Sequence, residues 1–380
     1  MKFKTKAIHA GQHPDHDTGA VIPPIYQTST YAQPTPGHHQ EFEYTRAGNP
    51  NFRNLETALA AMEGGQHAVV YSSGLGAETA LFSLLSSGDH VVVSSDVYGG
   101  TYRLLAQMKS RFGIDFTSVD DLSPEAFGDA ATERTKLFWL ESPTNPRLQI
   151  VDITAVSKRA RSQGITTVVD NTFASPYLQN PLALGADVVL HSTTKYVGGH
   201  SDLIGGALIT SDAALHDRLH FARMAYGLNP SPFDTWLAHR GLKTLALRME
   251  AHCVNAAQVA GYLQKHDRMK IVYYPGLESH PGHAVAKRQM KAFGGMVSAV
   301  VDGSSEKLHQ HLGSLTCFRL AESLGGVESL VCHPATMTHA SLPAEVRKQR
   351  GISDTLIRLS VGIEDVEDLL EDLEKFLKKV

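Results

Sequence analysis

The sequence predicts an α/β protein: a large, doubly wound domain with a mostly parallel sheet, followed by a smaller C-terminal α/β domain. Two observations carry this expectation. Short apolar, β-branched runs alternate with amphipathic stretches over residues 51–235, the pattern of strands buried on both faces and separated by crossover helices. The chain has 380 residues, more than one hydrophobic core usually organises, so a second unit is expected where that alternation ends.

The first fifty residues stand apart. Pro14, Pro23, Pro24, Pro34, Pro36 and Pro50 recur there, with Gly11, Gly19, Gly37 and Gly48 between them. Fixed φ angles and missing amide donors exclude long regular elements. Yet Ile22, Ile25, Tyr26, Tyr31, Phe42 and Tyr44 are too apolar for a solvated tail. Residues 1–50 are therefore expected to form an extended arm that packs on something else, a neighbouring subunit being the candidate.

In the large domain, residues 51–235, strands are expected at 67–71, 91–94, 136–140, 166–169, 187–190 and 204–209. Helical patterns lie between them at 52–62, 77–85, 101–111 and 153–163. A long helical pattern over 233–266, with Gly241 as its weak point, bridges into the small domain, residues 236–380. There strands at 271–274, 296–301 and 355–360 mix with helices, and an acidic amphipathic helix at 364–379 ends the chain. Its Lys375, Lys378 and Lys379 suit the negative end of the helix dipole.

Composition narrows the function. Thirty-five basic against 39 acidic side chains leave a formal charge of −4, which excludes a nucleic-acid binder that works through bulk positive charge. No run reaches the ~18 apolar residues that a bilayer span needs. The basic start, Met1-Lys2-Phe3-Lys4-Thr5-Lys6, lacks the apolar stretch of a signal peptide. Cys253, Cys317 and Cys332 are too few and too scattered for a disulfide framework or a thiolate zinc site. His216 and His220 share a helical face and His309 and His311 lie close together, but neither pair has the His-Glu-x-x-His arrangement, so no metal is expected. A cytoplasmic enzyme with neither a membrane nor a nucleic-acid partner is the expectation.

The chemistry concentrates in two strand ends. Thr166-Thr167-Val168-Val169-Asp170 and Val188-Val189-Leu190-His191-Ser192-Thr193-Thr194-Lys195 are apolar runs that finish in polar residues. Ligands of open α/β sheets bind at the carboxyl ends of the strands, so Asp170 and Ser192–Lys195 should face one crevice. Taken singly, Asp170 reads as a helix cap and Lys195 as a solvated loop residue. Together they match what pyridoxal phosphate needs: a lysine of lowered pKa to form a Schiff base with its aldehyde, and a carboxylate to keep its ring nitrogen protonated. Ser192 and Thr194 could supply hydroxyls to its phosphate. Tyr71-Ser72-Ser73-Gly74-Leu75-Gly76-Ala77 reads as a strand-to-helix turn, a ready anion site. It lacks the third glycine of a dinucleotide fingerprint, and no Walker lysine motif occurs.

Eight ordered motifs then carry a resemblance. They are Tyr44-Thr45-Arg46-x-x-Asn49-Pro50, Ser72-Ser73-Gly74, Asp96-Val97-Tyr98-Gly99-Gly100-Thr101, Glu141-Ser142-Pro143-Thr144-Asn145-Pro146, Val169-Asp170-Asn171-Thr172, Ser192-Thr193-Thr194-Lys195-Tyr196, Ala321-Glu322-Ser323-Leu324-Gly325 and Arg358-Leu359-Ser360-Val361-Gly362. Nearly the whole chain resembles the cysteine/methionine-metabolism family of pyridoxal-phosphate enzymes. The one visible departure, Ser-Ser-Gly-Leu-Gly for the more usual Ser-Ser-Gly-Met-Ala, should matter little where backbone amides bind the phosphate.

The resemblance implies a fold-type I, aspartate-aminotransferase-like transferase fold and pyridoxal 5'-phosphate as cofactor. It implies that Lys195 carries the cofactor, that Asp170 meets its ring nitrogen and that Tyr98 stacks on its ring. Gly74, Leu75, Ser192 and Thr194 would hold the phosphate, with Tyr44 and Arg46 reaching the neighbouring subunit's phosphate from the arm. Arg358 would grip the substrate α-carboxylate, with Asn145 and Ser323 in the same pocket and Glu43, Arg103 and Glu322 as further substrate contacts. It also implies a homotetramer of two tight dimers with shared active sites. The activity implied is γ-elimination of L-cystathionine to cysteine, 2-oxobutanoate and ammonia, with β-elimination on sulfur amino acids as a side activity. Cystathionine γ-synthase and cystathionine β-lyase activities are the alternatives, since the legible site residues do not separate them.

Overall fold

The computed structural model describes residues 1–340 and 344–380. Seven strands build the large sheet: β1 (His67–Tyr71), β2 (His90–Ser94), β3 (Asp115–Val119), β4 (Thr135–Glu141), β5 (Thr166–Asp170), β6 (Val188–His191) and β7 (Gly206–Thr210). Their order is β1-β7-β6-β5-β4-β2-β3. β2 and β6 are buried along their whole length, which is why their sequences run apolar without alternation. The sheet is fold-type I, α/β and mostly parallel, with β7 antiparallel to both neighbours.

That reversal has a cause in the connection. The segment from Ser192 to Gly205 holds no helix, and a parallel return would need a crossover of a dozen or more residues, usually helical. Because β7 runs against both β1 and β6, those two strands run the same way. The carboxyl ends of β1, β4, β5 and β6 therefore meet at one rim. Glu141 and Asp170 pair across β4 and β5, and Asp170 pairs with Leu190 across β5 and β6. Close approach at this rim needs glycine: a Cβ on Gly206 would fall 2.1 Å from the Ser73 carbonyl oxygen.

A second sheet of five strands follows: β8 (Met269–Tyr273), β9 (Met296–Val301), β10 (Arg319–Leu320), β11 (Leu330–Cys332) and β12 (Leu356–Ser360), in the order β10-β11-β12-β9-β8. Its core packs Val297, Ala299, Val331, Ile357 and Leu359 against the C-terminal helix Val366–Leu377.

The expected helix over 233–266 is two helices, Pro232–Leu242 and Leu245–Gln264. The break falls beyond Gly241, at Lys243–Thr244. The Gly241 carbonyl accepts from the Thr244 amide at 3.1 Å and from Arg248 Nη2 at 2.8 Å, so the turn tightens and the regular ladder stops. Three strands, β3, β10 and β11, were not legible as apolar runs.

The arm begins with a short helix, Phe3–His9, and then runs irregularly to Pro50. Side chains stitch it to the start of the helix Pro50–Glu63: Asn51 accepts from the Tyr26 amide at 2.8 Å and donates to the Pro24 carbonyl at 2.8 Å, and Asn49 donates to the Tyr26 carbonyl at 2.9 Å. Val21 and Ile22 face outward, 68% and 48% exposed. Among the described residues no helix is long and apolar enough to cross a membrane.

Candidate active site

The rim where the four strands end opens into a cavity of about 330 Å³. The helix Gly74–Phe82 starts on it, capped by the Ser73 side chain, which accepts from the Gly76 amide at 2.9 Å. The first amides of a helix have no acceptor within it, so Gly74 and Leu75 present donors at a positive helix end. A Cβ on Gly74 would lie 3.1 Å from the Ser192 Cβ, so this turn and the segment after β6 touch. Thr172 Oγ1 accepts from the Ser192 amide at 2.9 Å and fixes that segment from the β5 side. Thr194 Oγ1 and the Gly205 backbone bond each other at 3.0 and 3.2 Å.

Lys195 projects from this segment into the cavity, and its Nζ donates to Ser323 Oγ at 2.9 Å. Burial first, then the nearby Arg358 charge, pulls its amine down to about 8 against the opposing pull of Glu322 and Asp170. At that value roughly half the amine is free at pH 8, against well under 1% for an ordinary lysine. Behind it, Arg248 spreads its buried guanidinium over the backbone, donating to the carbonyls of Tyr196 at 2.7 Å, Gly241 at 2.8 Å and Val197 at 3.4 Å.

Arg358 comes from β12 in the second sheet. Its Nη1 donates to Asn145 Oδ1 at 2.8 Å and its Nη2 to the Ser323 carbonyl at 3.0 Å. Its Nε is buried without a partner. One hydrogen on each Nη and the Nε hydrogen are left over, a set suited to a carboxylate. Ser323, at φ 92°, is a non-glycine residue in the left-handed region. Its hydroxyl takes Lys195 and its carbonyl takes Arg358, and that pinning holds an unfavourable backbone at the site. His339 closes this wall by donating from Nε2 to the Asn145 carbonyl at 3.2 Å. Burial pushes its imidazole down to about 4, so it stays neutral.

Asp170 Oδ1 accepts from the Thr172 amide at 2.9 Å. Burial lifts its carboxyl above the usual value, opposed by the Thr172 hydrogen bonds and the charges of His191 and Lys195. Tyr98, at the start of the helix Gly99–Phe112, leaves 38% of its surface exposed at the cavity. Its ring folds over its own helix start, where a Cβ on Gly100 would fall 2.3 Å from Cε1.

The structure thus brings together Gly74, Leu75, Tyr98, Asn145, Asp170, Ser192, Thr194, Lys195, Glu322, Ser323 and Arg358. It does not bring Glu43, Tyr44, Arg46 or Arg103 to the same cavity within one chain. Tyr44 and Arg46 line a separate surface hollow with Asn229, and Arg46 donates to the Met224 carbonyl at 3.1 Å. Glu43 is exposed near His39, and Arg103 is exposed on the helix Gly99–Phe112. Sequence reasoning missed Glu78, Thr338 and the role of Glu141, which also line the cavity. Glu141 lay in a quoted motif; Glu78 and Thr338 carried no signal, because only the tertiary fold turns them inward.

The cavity fits pyridoxal phosphate. A lysine amine poised near neutrality, helix-start amides for an anion, a carboxyl on the far wall and an uncovered aromatic ring surround one space. Among the described residues no group of three His, Cys, Asp or Glu could hold a metal ion.

Comparison with known proteins agrees. A family model described as Cys/Met metabolism PLP-dependent enzyme matches residues 4–378. A protein named cystathionine gamma-lyase from Dictyostelium discoideum is 51% identical over 379 residues, covering 100% of this chain and 98% of its own. One named cystathionine beta-lyase from Coxiella burnetii is 50% identical over 375 residues, covering 98% of this chain and 97% of its own. The crystal structure of a cystathionine gamma synthase from Xanthomonas oryzae pv. oryzae in complex with cystathionine superposes with a TM-score of 0.97 at 46% identity, covering 100% of this chain and 98% of that one.

Proposed function

The chain belongs to the Cys/Met metabolism PLP-dependent enzymes, and on that premise we propose that it cleaves L-cystathionine by γ-elimination to cysteine, 2-oxobutanoate and ammonia. β-Elimination on sulfur amino acids accompanies it. The observation that carries the reading is one cavity holding Lys195, Arg358 and the carboxylate of Glu322: a base, a clamp for one end of the substrate and an anion for the distal ammonium.

Pyridoxal phosphate, when bound, bonds covalently to amines through its aldehyde and stores the electron pair left when a proton is removed beside the substrate nitrogen. The rest belongs to the protein. Gly74, Leu75, Ser192 and Thr194 would hold its phosphate, Asp170 would partner its ring nitrogen and Tyr98 would stack on its ring. Arg358, oriented by Asn145 and the Ser323 carbonyl, takes the α-carboxylate and sets the α-hydrogen toward Lys195. Lys195 Nζ removes that proton, and Ser323 Oγ, its hydrogen-bond partner, steadies the amine. Lys195 Nζ must give that proton up again, to the carbon of the former aldehyde, and the freed amine would then take a proton from the β-carbon and pass it to the departing cysteine sulfur.

Residues 1–50 act as an arm, 51–235 as the cofactor domain and 236–380 as bridge and small domain of a cytoplasmic homotetramer, a dimer of dimers with shared sites. Tyr44 and Arg46, remote from the cavity of their own chain, then complete a neighbour's phosphate site, and Glu43 and Arg103 contact substrate in the assembled enzyme. Mixing an Arg46→Ala protein with a Lys195→Ala protein should restore activity on subunit exchange, because one site of each mixed dimer carries neither lesion. Absence of recovery despite demonstrated exchange contradicts shared sites.

Glu322→Ala should lower kcat/KM for cystathionine more than for homocysteine, which lacks the distal ammonium. A charge-assisted hydrogen bond contributes roughly 1.5–3 kcal/mol, about ten- to a hundred-fold. The exposure of Glu322 pulls the effect toward the lower end. An equal fall on both substrates means that Glu322 supports the pocket without reading the ligand.

The second reading is cystathionine γ-synthase, supported by the likeness to the Xanthomonas oryzae structure; β-lyase activity needs only the first proton abstraction. A product assay separates them, comparing cystathionine alone with an acylhomoserine plus cysteine. Faster formation of cystathionine than of 2-oxobutanoate would overturn the lyase reading.

A further inference from the structure

Three carboxyls surround the cofactor end of the cavity. Glu141 and Asp170 are paired neighbours at the ends of β4 and β5, and Glu78 lies one turn into the helix whose first amides face the phosphate position. Glu78 and Glu141 are almost fully buried, 2% and 3% exposed. Three negative charges in so little solvent cannot coexist beside one lysine. Their surroundings say which one keeps its charge. Asp170 has the Thr172 amide and the charges of His191 and Lys195 in its favour. Glu141 has the Tyr98 amide, donating to Oε2 at 2.9 Å, and the opposing charges of Asp170, Asp96 and Glu78. Glu78 has a single hydroxyl, Thr101 Oγ1, donating to Oε1 at 3.0 Å, and among the described residues no cation offsets its charge. Burial and then the Asp170 charge hold both glutamates well above the usual carboxylate range.

The proton on Glu78 can be placed. Oε1 is occupied as an acceptor by Thr101, whereas Oε2 is buried without any partner. A neutral carboxyl donates from the oxygen that does not accept. We propose that Glu78 is a positioning residue of the cofactor pocket: it remains an uncharged acid, offers Oε2–H to the space beside Asp170, and leaves Asp170 as the charged member of the three toward the cofactor ring. Asp170 is thereby matched to one ring N–H without a competing anion, and an ionised Glu78 would pull on that same proton. This rests on the cofactor site above but not on which sulfur substrate the enzyme uses.

The test compares Glu78→Gln, a neutral group of the same shape, and Glu78→Leu with the wild-type holoenzyme. The first readout is the rate at which bound pyridoxal phosphate is lost after free cofactor is removed, followed by visible absorbance from pH 6.5 to 9.5. At pH 7 the Gln variant should hold the cofactor within about two-fold of wild type, and the Leu variant should lose it about ten-fold faster. As pH rises the wild type and the Gln variant should lose cofactor in step, because Glu78 keeps its proton. The second readout is the urea midpoint of the cofactor-free protein. A carboxyl whose folded pKa is raised costs stability as pH climbs above its unfolded value, so wild type should fall relative to Gln as pH rises from about 4.5.

Three results from the variants would overturn the proposal. Rapid cofactor loss from Glu78→Gln at pH 7 would mean that a charged carboxylate is needed. Parallel urea-midpoint profiles for wild type and Gln would mean that Glu78 does not hold a proton in the folded protein. Equal retention by Leu and Gln would leave no use for Oε2–H. If the Leu variant fails to fold, the wild-type and Gln profiles decide alone. A wild-type protein that binds no pyridoxal phosphate would overturn the cofactor site and this proposal together, whereas cofactor binding without cystathionine cleavage touches only the substrate reading.

Discussion

Lys195→Ala is expected to lower turnover by about 10⁴-fold or more, since both the covalent attachment and the acid–base catalyst disappear together. Pyridoxal phosphate should still bind noncovalently, because the helix-start amides at Gly74 and Leu75 and the carboxyl of Asp170 remain. The same position should reveal a cost in the cofactor-free fold. Burial and Arg358 lower the Lys195 amine from 10.5 to about 8, so the unfolded chain binds more protons than the folded one between those values. Stability therefore rises with pH through that window, and the full penalty is present below pH 8. Lys195→Met keeps the apolar stem and removes the charge. It should stabilise the cofactor-free protein by on the order of 2 kcal/mol at pH 7, with the gain vanishing above pH 10.5. Undiminished elimination by Lys195→Ala, measured as 2-oxobutanoate released, contradicts the catalytic assignment. A Lys195→Met protein no more stable than wild type at pH 7 contradicts the burial of a charged amine.

Arg358→Lys should lower kcat/KM by about 10²- to 10³-fold, because a point-charge ammonium cannot replace a fork already held by Asn145 and the Ser323 carbonyl. Arg358→Ala should go further and act on Lys195 as well. The guanidinium is the largest charge lowering the Lys195 amine, so its removal should move that amine above 8. Cofactor loading of the apoprotein needs the free amine. Its rate should rise with pH through about 8 in the wild type, and the Ala variant should need a higher pH to load equally fast. Stopped-flow absorbance on adding pyridoxal phosphate reads this directly. An unmoved loading profile would separate Arg358 from Lys195, and an unchanged kcat/KM would remove it from substrate binding.

The fold was legible wherever burial made the sequence monotonous. β1 stands at the expected residues, and β2, β4, β5, β6 and β7 lie within two residues of expectation at each end, because strands packed on both faces must be apolar throughout. β3 was not legible: Asp115-Phe116-Thr117-Ser118-Val119 is a half-exposed edge strand, and its polar positions break the run. The single helix expected over 233–266, with Gly241 as its weak point, breaks instead at Lys243–Thr244. That glycine serves a close approach, since a Cβ there would lie 2.2 Å from the Gly198 carbonyl oxygen.

By itself the sequence determined the alternation of strand and helix, the cofactor and the pairing of Asp170 with Lys195 at one crevice. These depend on local composition and on the rule that strand carboxyl ends gather ligands. Tertiary structure alone decided what lies between those residues. It brought Ser323 and Arg358 of the small domain within hydrogen-bonding reach of Lys195 and Asn145, set Arg248 behind the lysine, and turned Glu78 inward beside Asp170. It also left Tyr44 and Arg46 outside the cavity of their own chain. Such contacts join residues far apart in sequence, and the desolvation and charge coupling that shift Lys195 and Glu78 exist only once those groups share one low-dielectric space.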